Sequence, residues 1–182
     1  MEFSALPESG NAIVALRPIV ATDLRVWYEY LSQPIVFEHT SWNVQSPEEL
    51  SHYVWQPQSF TPSTLLRFAI VLRSNDQLVG TAGFHTVSPQ NFSAELAYDL
   101  SPSVWGNGIA TYVCSLLTEW AHSNAGITRV QATVLETNAR SERVLQRSGF
   151  EREGLLRSYR TVRGHPGNFW MYAHVVPAHK AP

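Results

Sequence analysis

The feature that most constrains this chain is a change of hydrophobic period near its middle. Leu66 to Leu72, Leu78 to Val87 and Ala94 to Leu100 are apolar runs of strand length. From Gly108 to about Ala125 the pattern changes: Ile109, Val113, Leu116, Leu117 and Trp120 recur three or four residues apart, which lines one face of an amphipathic helix. Asn75-Asp76 is a turn, so the first two runs form an antiparallel hairpin, and the polar stretch Ser88 to Ser93 leads into the third. Gly126 ends the long helix, Arg129 to Leu135 is a further strand, and Ala139 to Arg147 a helix stopped near Gly149. Phe169 to Val176 is a closing strand after a turn at Gly164-His165-Pro166-Gly167. Upstream, Ile13 to Pro18 reads as a first strand. Thr22 or Asp23 then opens a helix carrying Leu24, Trp27, Tyr28 and Leu31, which Pro34 ends. Ser46-Pro47-Glu48-Glu49 starts a second short helix whose end is obscured by Pro57 and Pro62. The elements make an α/β chain of the mixed α+β kind, with helices packed on a mixed sheet.

At 182 residues and 44% hydrophobic, the chain supports one core, and no repeat or linker divides it. We expect a single domain over 1–182 with an ordered core at about 11–176 and loose ends. A formal charge of -2 gives no overall field that steers toward nucleic acid or an anionic membrane. Cys114 has no partner for a disulfide and no Cys/His spacing suggests a metal, so no metal is expected and a reducing cytoplasm fits. Met1 to Gly10 lacks the basic and apolar segments of a leader, and no stretch approaches the roughly 18 apolar residues of a membrane span, so the expectation is a soluble, unexported protein.

Between the strand ending at Leu100 and the long helix lies Trp105-Gly106-Asn107-Gly108-Ile109-Ala110-Thr111. Glycines directly before a helix let a phosphate approach the backbone, and the first-turn amides and positive helix end then receive it. The same pattern also suits a strand-to-helix turn that binds nothing. A nucleotide-hydrolysing loop needs Lys then Ser or Thr after its last glycine, but Ile109-Ala110 follow Gly108. A dinucleotide loop follows a first strand, with an acid about 20 residues on, whereas this loop lies past mid-chain after an antiparallel segment.

Four segments in this order resemble the GNAT superfamily, in particular its RimJ/RimL-like branch of N-acetyltransferases: Leu16-Arg17-Pro18; Leu78-Val79-Gly80 with Ala94-Glu95-Leu96-Ala97-Tyr98; Trp105 to Thr111; and Asn138-Ala139-Arg140-Ser141 leading to Gly149-Phe150. The resemblance covers nearly the whole chain. Trp105 replaces the superfamily's usual glutamine or arginine, as is common in that branch. The resemblance implies a mostly antiparallel twisted sheet of about seven strands, splayed between the fourth and fifth and flanked by about four helices. It implies transfer of the acetyl group of acetyl-CoA to a primary amine by direct attack in a ternary complex. The acceptor is a protein N-terminal α-amine, of a ribosomal protein in some relatives, or a small molecule.

The resemblance also implies roles. Backbone groups of Leu96, Ala97, Tyr98, Asp99 and Leu100 hold the pantetheine arm and thioester, and Trp105, Gly106, Asn107, Gly108, Ile109, Ala110 and Thr111 hold the pyrophosphate. Glu95 matches the general base of some members, against the alternative of a structural hydrogen bond. Leu145 stands where many members carry an acidic tyrosine, and Ser141 takes that role in this branch. Asn138 and Ser141, three apart, share a helix face toward the sulfur, although Asn138 also suits a helix N-cap. Arg140 and Arg143 are candidates for the 3′-phosphate of CoA. Glu38, His39, Trp42 and His85 are candidate acceptor contacts, although such residues are more often ordinary packing or surface groups. A rival reading is an acyl-CoA-binding regulatory domain without turnover. A homodimer is the common state of soluble enzymes, and the sequence leaves it open.

Overall fold

The computed structural model describes residues 7–42, 44–54 and 65–176. Strands β1 (Val14–Pro18), β2 (Leu66–Leu72), β3 (Leu78–Ser88), β4 (Ser93–Leu100), β5 (Arg129–Leu135), β6 (Glu151–Val162) and β7 (His165–Val175) form one sheet in the order β1-β2-β3-β4-β5-β7-β6. Helices α1 (Asp23–Leu31) and α2 (Pro34–Phe37) follow β1, α3 (Ile109–Ala125) joins β4 to β5, and α4 (Ala139–Arg147) joins β5 to β6. Among the described residues no helix is long and apolar enough to cross a membrane.

Every neighbouring pair is antiparallel except β4 and β5, which run parallel and pair only over Ser93–Glu95 and Arg129–Gln131. Beyond Glu95 the two part, yet each stays paired with its other neighbour: β4 with β3 as far as Gly80↔Leu100, β5 with β7 as far as Leu135↔Phe169. The sheet therefore opens as a wedge between two intact halves, leaving the β5-facing edge of Leu96 to Leu100 without a strand partner. This is the splay expected between the fourth and fifth strands.

Both faces of the first half are covered, which explains why β2 reads as a continuous apolar run. Leu66, Phe68 and Ile70 pack toward α3 and the main core, while Ala69 and Val71 pack with Trp27, Tyr30 and Leu31 of α1. Fully buried Trp27, Phe68 and Phe84 each contribute about 1.5–3 kcal/mol of burial.

The structure changes four local readings. The stretch Glu151–Val162, assigned to no element from the sequence, is the edge strand β6: its residues are largely polar and exposed on both faces, so no alternation marks it. Pro34 does not end the first helix, which stops at Leu31; it is the first residue of α2, where its missing N–H costs nothing. The helix read at Ser46 is a 3-10 segment, Pro47–Tyr53, and the proline-marked end read beyond it lies outside the described residues. The last strand begins at His165 rather than Phe169, because Val162↔His165 and Arg160↔Gly167 already pair.

Candidate active site

At the mouth of the wedge, β4 ends at Leu100, whose carbonyl accepts the Trp105 Nε1–H at 2.9 Å. The chain then passes Gly106 (φ 83°) and Gly108 (φ 73°), left-handed conformations that favour glycine. A Cβ at either position would meet nothing within 4 Å, so backbone conformation alone selects glycine and the space beside it is open. The first bond of α3 runs from the Tyr112 N–H to the Gly108 carbonyl at 3.0 Å, leaving the amides of Ile109, Ala110 and Thr111 unpaired at the positive end of a 17-residue helix. Asn107 steadies the loop by donating from Nδ2 to the Val104 carbonyl at 3.2 Å.

Opposite this loop, α4 presents Arg140, Arg143 and Arg147 on one side of a cleft of about 400 Å³. The Arg140 guanidinium lies over the Trp105 ring, 4.7 Å from its centroid. Free amides and three guanidinium groups facing one cleft suit a ligand with several anionic groups. Of the expected cofactor contacts, Gly106, Gly108, Ile109, Ala110, Thr111, Trp105, Asn138, Ser141 and Arg143 line this cleft together with Tyr98, Asp99 and Leu100. Asn107 does not, and Leu96 and Ala97 line a second cavity instead.

That cavity, about 450 Å³, fills the wedge itself. It shares His39, Thr40, Tyr98, Asp99, Asn138 and Ser141 with the first, so the two meet there. Asn138 caps α4 by accepting the Ser141 N–H at 3.1 Å, and its Nδ2 reaches the His39 carbonyl at 3.5 Å. The Tyr98 hydroxyl is buried at this junction and completes no hydrogen bond among the described residues. Burial, then the neighbouring Cys114, push its pKa well up, with Ser141 pulling the other way, so it stays a neutral donor.

Behind the cavity wall, Glu95 gathers three donors on one oxygen: Thr133 Oγ1 at 2.8 Å, Arg160 at 2.9 Å and His85 Nε2 at 3.2 Å from Oε1. Burial pushes the carboxyl up, but the hydrogen bond and charge of His85, the Thr133 hydroxyl and the Arg160 charge outweigh it and hold the pKa at about 2. Oε2 has no partner among the described residues. Asp99 is bound from four sides, by Trp27 Nε1 (3.1 Å), Thr81 Oγ1 (2.7 Å), the Tyr30 hydroxyl and the Arg67 guanidinium. Arg67 in turn lies 4.9 to 5.6 Å from the ring centroids of Trp42, Trp27 and Tyr53.

Of the expected acceptor contacts, His39, Trp42 and His85 line the wedge cavity; Glu38 does not, its exposed carboxylate lying 3.1 Å from His39 Nε2. Arg163, at the β6–β7 turn, donates to the carbonyls of Phe37 (2.7 Å), Thr40 (3.3 Å) and Glu38, fastening the segment that carries His39. Sequence reading missed Arg67, Thr133 and Arg160. Only Arg67 left a signal, as the lone charge inside the apolar run of β2.

Two cavities with one shared wall suit a protein that brings a polyanionic ligand and a smaller one together. The chain belongs to the GNAT acetyltransferase family: the sequence model of the acetyltransferase (GNAT) domain matches residues 14–151. It is similar to an uncharacterized N-acetyltransferase of Bacillus subtilis (strain 168), YoaA, at 36% identity over 112 residues, 62% of this chain and 63% of that protein. The chain thus spans less than two thirds of that relative's length. Among solved structures, an acetyltransferase (GNAT family) from Bacillus anthracis superimposes with a TM-score of 0.77 at 20% identity, covering 96% of this chain and 98% of that one. Mycobacterium smegmatis RimJ, in complex with CoA-disulfide, gives 0.72 at 23% identity, covering 93% and 84%. At these identities the likeness to both structures is one of fold.

Proposed function

We propose that the chain is an acetyl-CoA-dependent N-acetyltransferase acting on a primary amine, a protein N-terminal α-amine or a small-molecule amine, by direct attack in a ternary complex. The observation that carries this reading is the junction of six residues at which the anion-accepting cleft and the wedge cavity meet. The cleft fits the proposed donor: positive-φ glycines leave open space where three free amides converge, and the arginine row faces them. The amides of Ile109 to Thr111 would hold the pyrophosphate, Arg140 and Arg143 the 3′-phosphate, and the unpaired edge of β4 the pantetheine arm. When bound, acetyl-CoA supplies the acetyl thioester.

The chain's own residues then serve the two proton movements. A C–N bond forms as the C–S bond breaks; one proton leaves nitrogen and one reaches sulfur. Ser141, in the wall that the two cavities share, would donate its hydroxyl proton to the departing thiolate. Glu95, held at about 2 behind the cavity wall, is a weak base and would act on the amine through a water that carries the nitrogen's proton away. The sequence resemblance to the RimJ/RimL-like branch supports a protein N-terminus as one acceptor.

The test combines purified protein, acetyl-CoA and a panel of peptides and small amines, with thiol release as readout and calorimetry for CoA affinity. Amine-dependent thiol release is expected. Ser141→Ala should mainly slow turnover, lowering kcat by roughly 10²–10⁴, the range of one general acid, with a much smaller effect on CoA affinity. Absence of both thiol release and CoA binding would sink the proposal. The second reading, an acyl-CoA-binding domain without turnover, draws on fully buried Leu145 at the family's tyrosine position and on the low pKa of Glu95. It predicts CoA binding with no thiol release on any amine.

A further inference from the structure

Arg160 reaches the wedge cavity through an irregularity in β6. Leu156 pairs with Phe169 and Arg160 with Gly167, so three residues, Arg157 to Tyr159, stand opposite the single Asn168. The bulge is fastened: Ser158 takes a left-handed φ of 49°, its N–H donates to Asn168 Oδ1 at 3.0 Å, and Asn168 Nδ2 donates to Glu136 at 3.1 Å. A bulge of this kind re-aims the side chains that follow it. Here it sets the Arg160 guanidinium on the cavity wall, beside the faces of Tyr159 and Phe169. A guanidinium has five donors, and one goes to Glu95 Oε1 at 2.9 Å. The others have no partner among the described residues.

The other charges of the wall are differently placed. Asp99, the carboxylate that lines this cavity, already accepts from four donors, and the aromatic faces of Trp42 and Tyr53 already meet the Arg67 cation. A second positive group on an acceptor would therefore face two guanidinium groups with, among the described residues, no unsaturated lining carboxylate to receive it. An amine bearing an anion a few bonds away finds the reverse: the Arg160 donors on the cavity wall are open to the anion.

We infer that the acceptor is a primary amine with a nearby anionic group, of the α-amino acid kind, and that Arg160 is the residue that selects it. The inference rests on the acetyltransferase reading and names the substrate class of the same site. The shared chemistry has two sources, a free amino acid or a peptide with an acidic first residue.

The experiment uses matched pairs: L-phenylalanine against its amide, and a peptide starting with Glu against one starting with Gln, with spermidine as the polycationic probe. The anionic member of at least one pair should exceed its neutral partner about tenfold or more in kcat/KM, the scale of one charge-assisted hydrogen bond. The pair that shows the ratio identifies the source. Arg160→Gln should bring the ratio close to one with CoA affinity unchanged, and Arg160→Lys should restore part of it. A purely structural role of Arg160 would slow both members alike and leave the ratio standing. Equal rates within both pairs, a preference for spermidine, or a ratio that survives Arg160→Gln each overturn the inference. Should no amine be acetylated, the transferase reading fails. Calorimetric titration of the same pairs into the CoA-bound protein still reports whether the anion is preferred and whether Arg160 causes it.

Discussion

Glu95 and Asp99 lie four residues apart on β4, and neighbours fix what each can do. Three donors converge on one Glu95 oxygen and hold its pKa at about 2, below the ordinary 4.5. Between those values the native state binds fewer protons than the unfolded chain, so stability rises with pH through that window. The contribution is complete above 4.5 and disappears as pH falls toward 2. The gap in unfolding free energy between wild type and Glu95→Gln should therefore shrink as pH falls from about 4.5 toward 2. Denaturant titrations at several pH values measure it, and a gap that widens in acid would contradict the hydrogen-bond assignment. Asp99 presents the buried counterpart, since it and Arg67 are nearly inaccessible, with side-chain exposures of 8% and 4%. Arg67→Met removes one partner and leaves the carboxylate buried among Trp27, Tyr30 and Thr81, which should cost about 3–5 kcal/mol. A loss below about 1 kcal/mol would mean that water reaches Asp99.

At the scale of elements, α3 connects the loop proposed to hold phosphate to the far side of the sheet. Its first turn faces the cleft, and in its last turn His122 donates from Nδ1 to the Ile127 carbonyl and meets His174 of β7, Nε2 to Nδ1, at 3.0 Å. One proton serves that contact. Burial, and then the charge of His122, lower the pKa of His174 below 6.5. The unfolded chain thus binds more protons at this site just below 6.5, and the native state weakens as pH falls through that window. Unfolding free energy should decline between about pH 7.5 and about pH 5.5, and His174→Gln should flatten part of the decline. An unchanged slope in the variant would exclude the pair as its source. The same elements show what the sequence could convey. β2 to β4, α3 and α4 were legible because burial of a whole face or stripe leaves a period. β6 was not, because an edge strand with polar residues on both faces and two register shifts carries none. The seventh strand was expected only from family resemblance.

Across the whole molecule, the site divides in the same way. The proposed cradle is one stretch, Trp105 to Thr111, which local pattern offered beside a ligand-free turn, and Asn138 and Ser141 are one helical turn, whose role only the family resemblance implied. The wall of the wedge cavity gathers Arg67, His85, Thr133 and Arg160 from β2, β3, β5 and β6, an assembly that only the folded sheet creates. The wedge has a thermodynamic consequence as well. The two halves of the sheet pair through only three residues of β4, while the cradle belongs to one half and the α4 arginines adjoin the other. A ligand spanning the cleft, as CoA is proposed to do, therefore holds the halves together, and its binding energy is lost when either half unfolds. At a hundred times Kd, acetyl-CoA should add about 2.7 kcal/mol of stability, and for a chain of this size raise Tm by roughly 5–10 °C. Gly108→Glu turns a favourable helix end of up to about 2 kcal/mol into a repulsion and strains the left-handed backbone, so the shift at the same ligand concentration should largely vanish. Scanning calorimetry with acetyl-CoA and with NAD measures both effects. A comparable shift with NAD, or a full shift in Gly108→Glu, would place the anion site somewhere other than the start of α3.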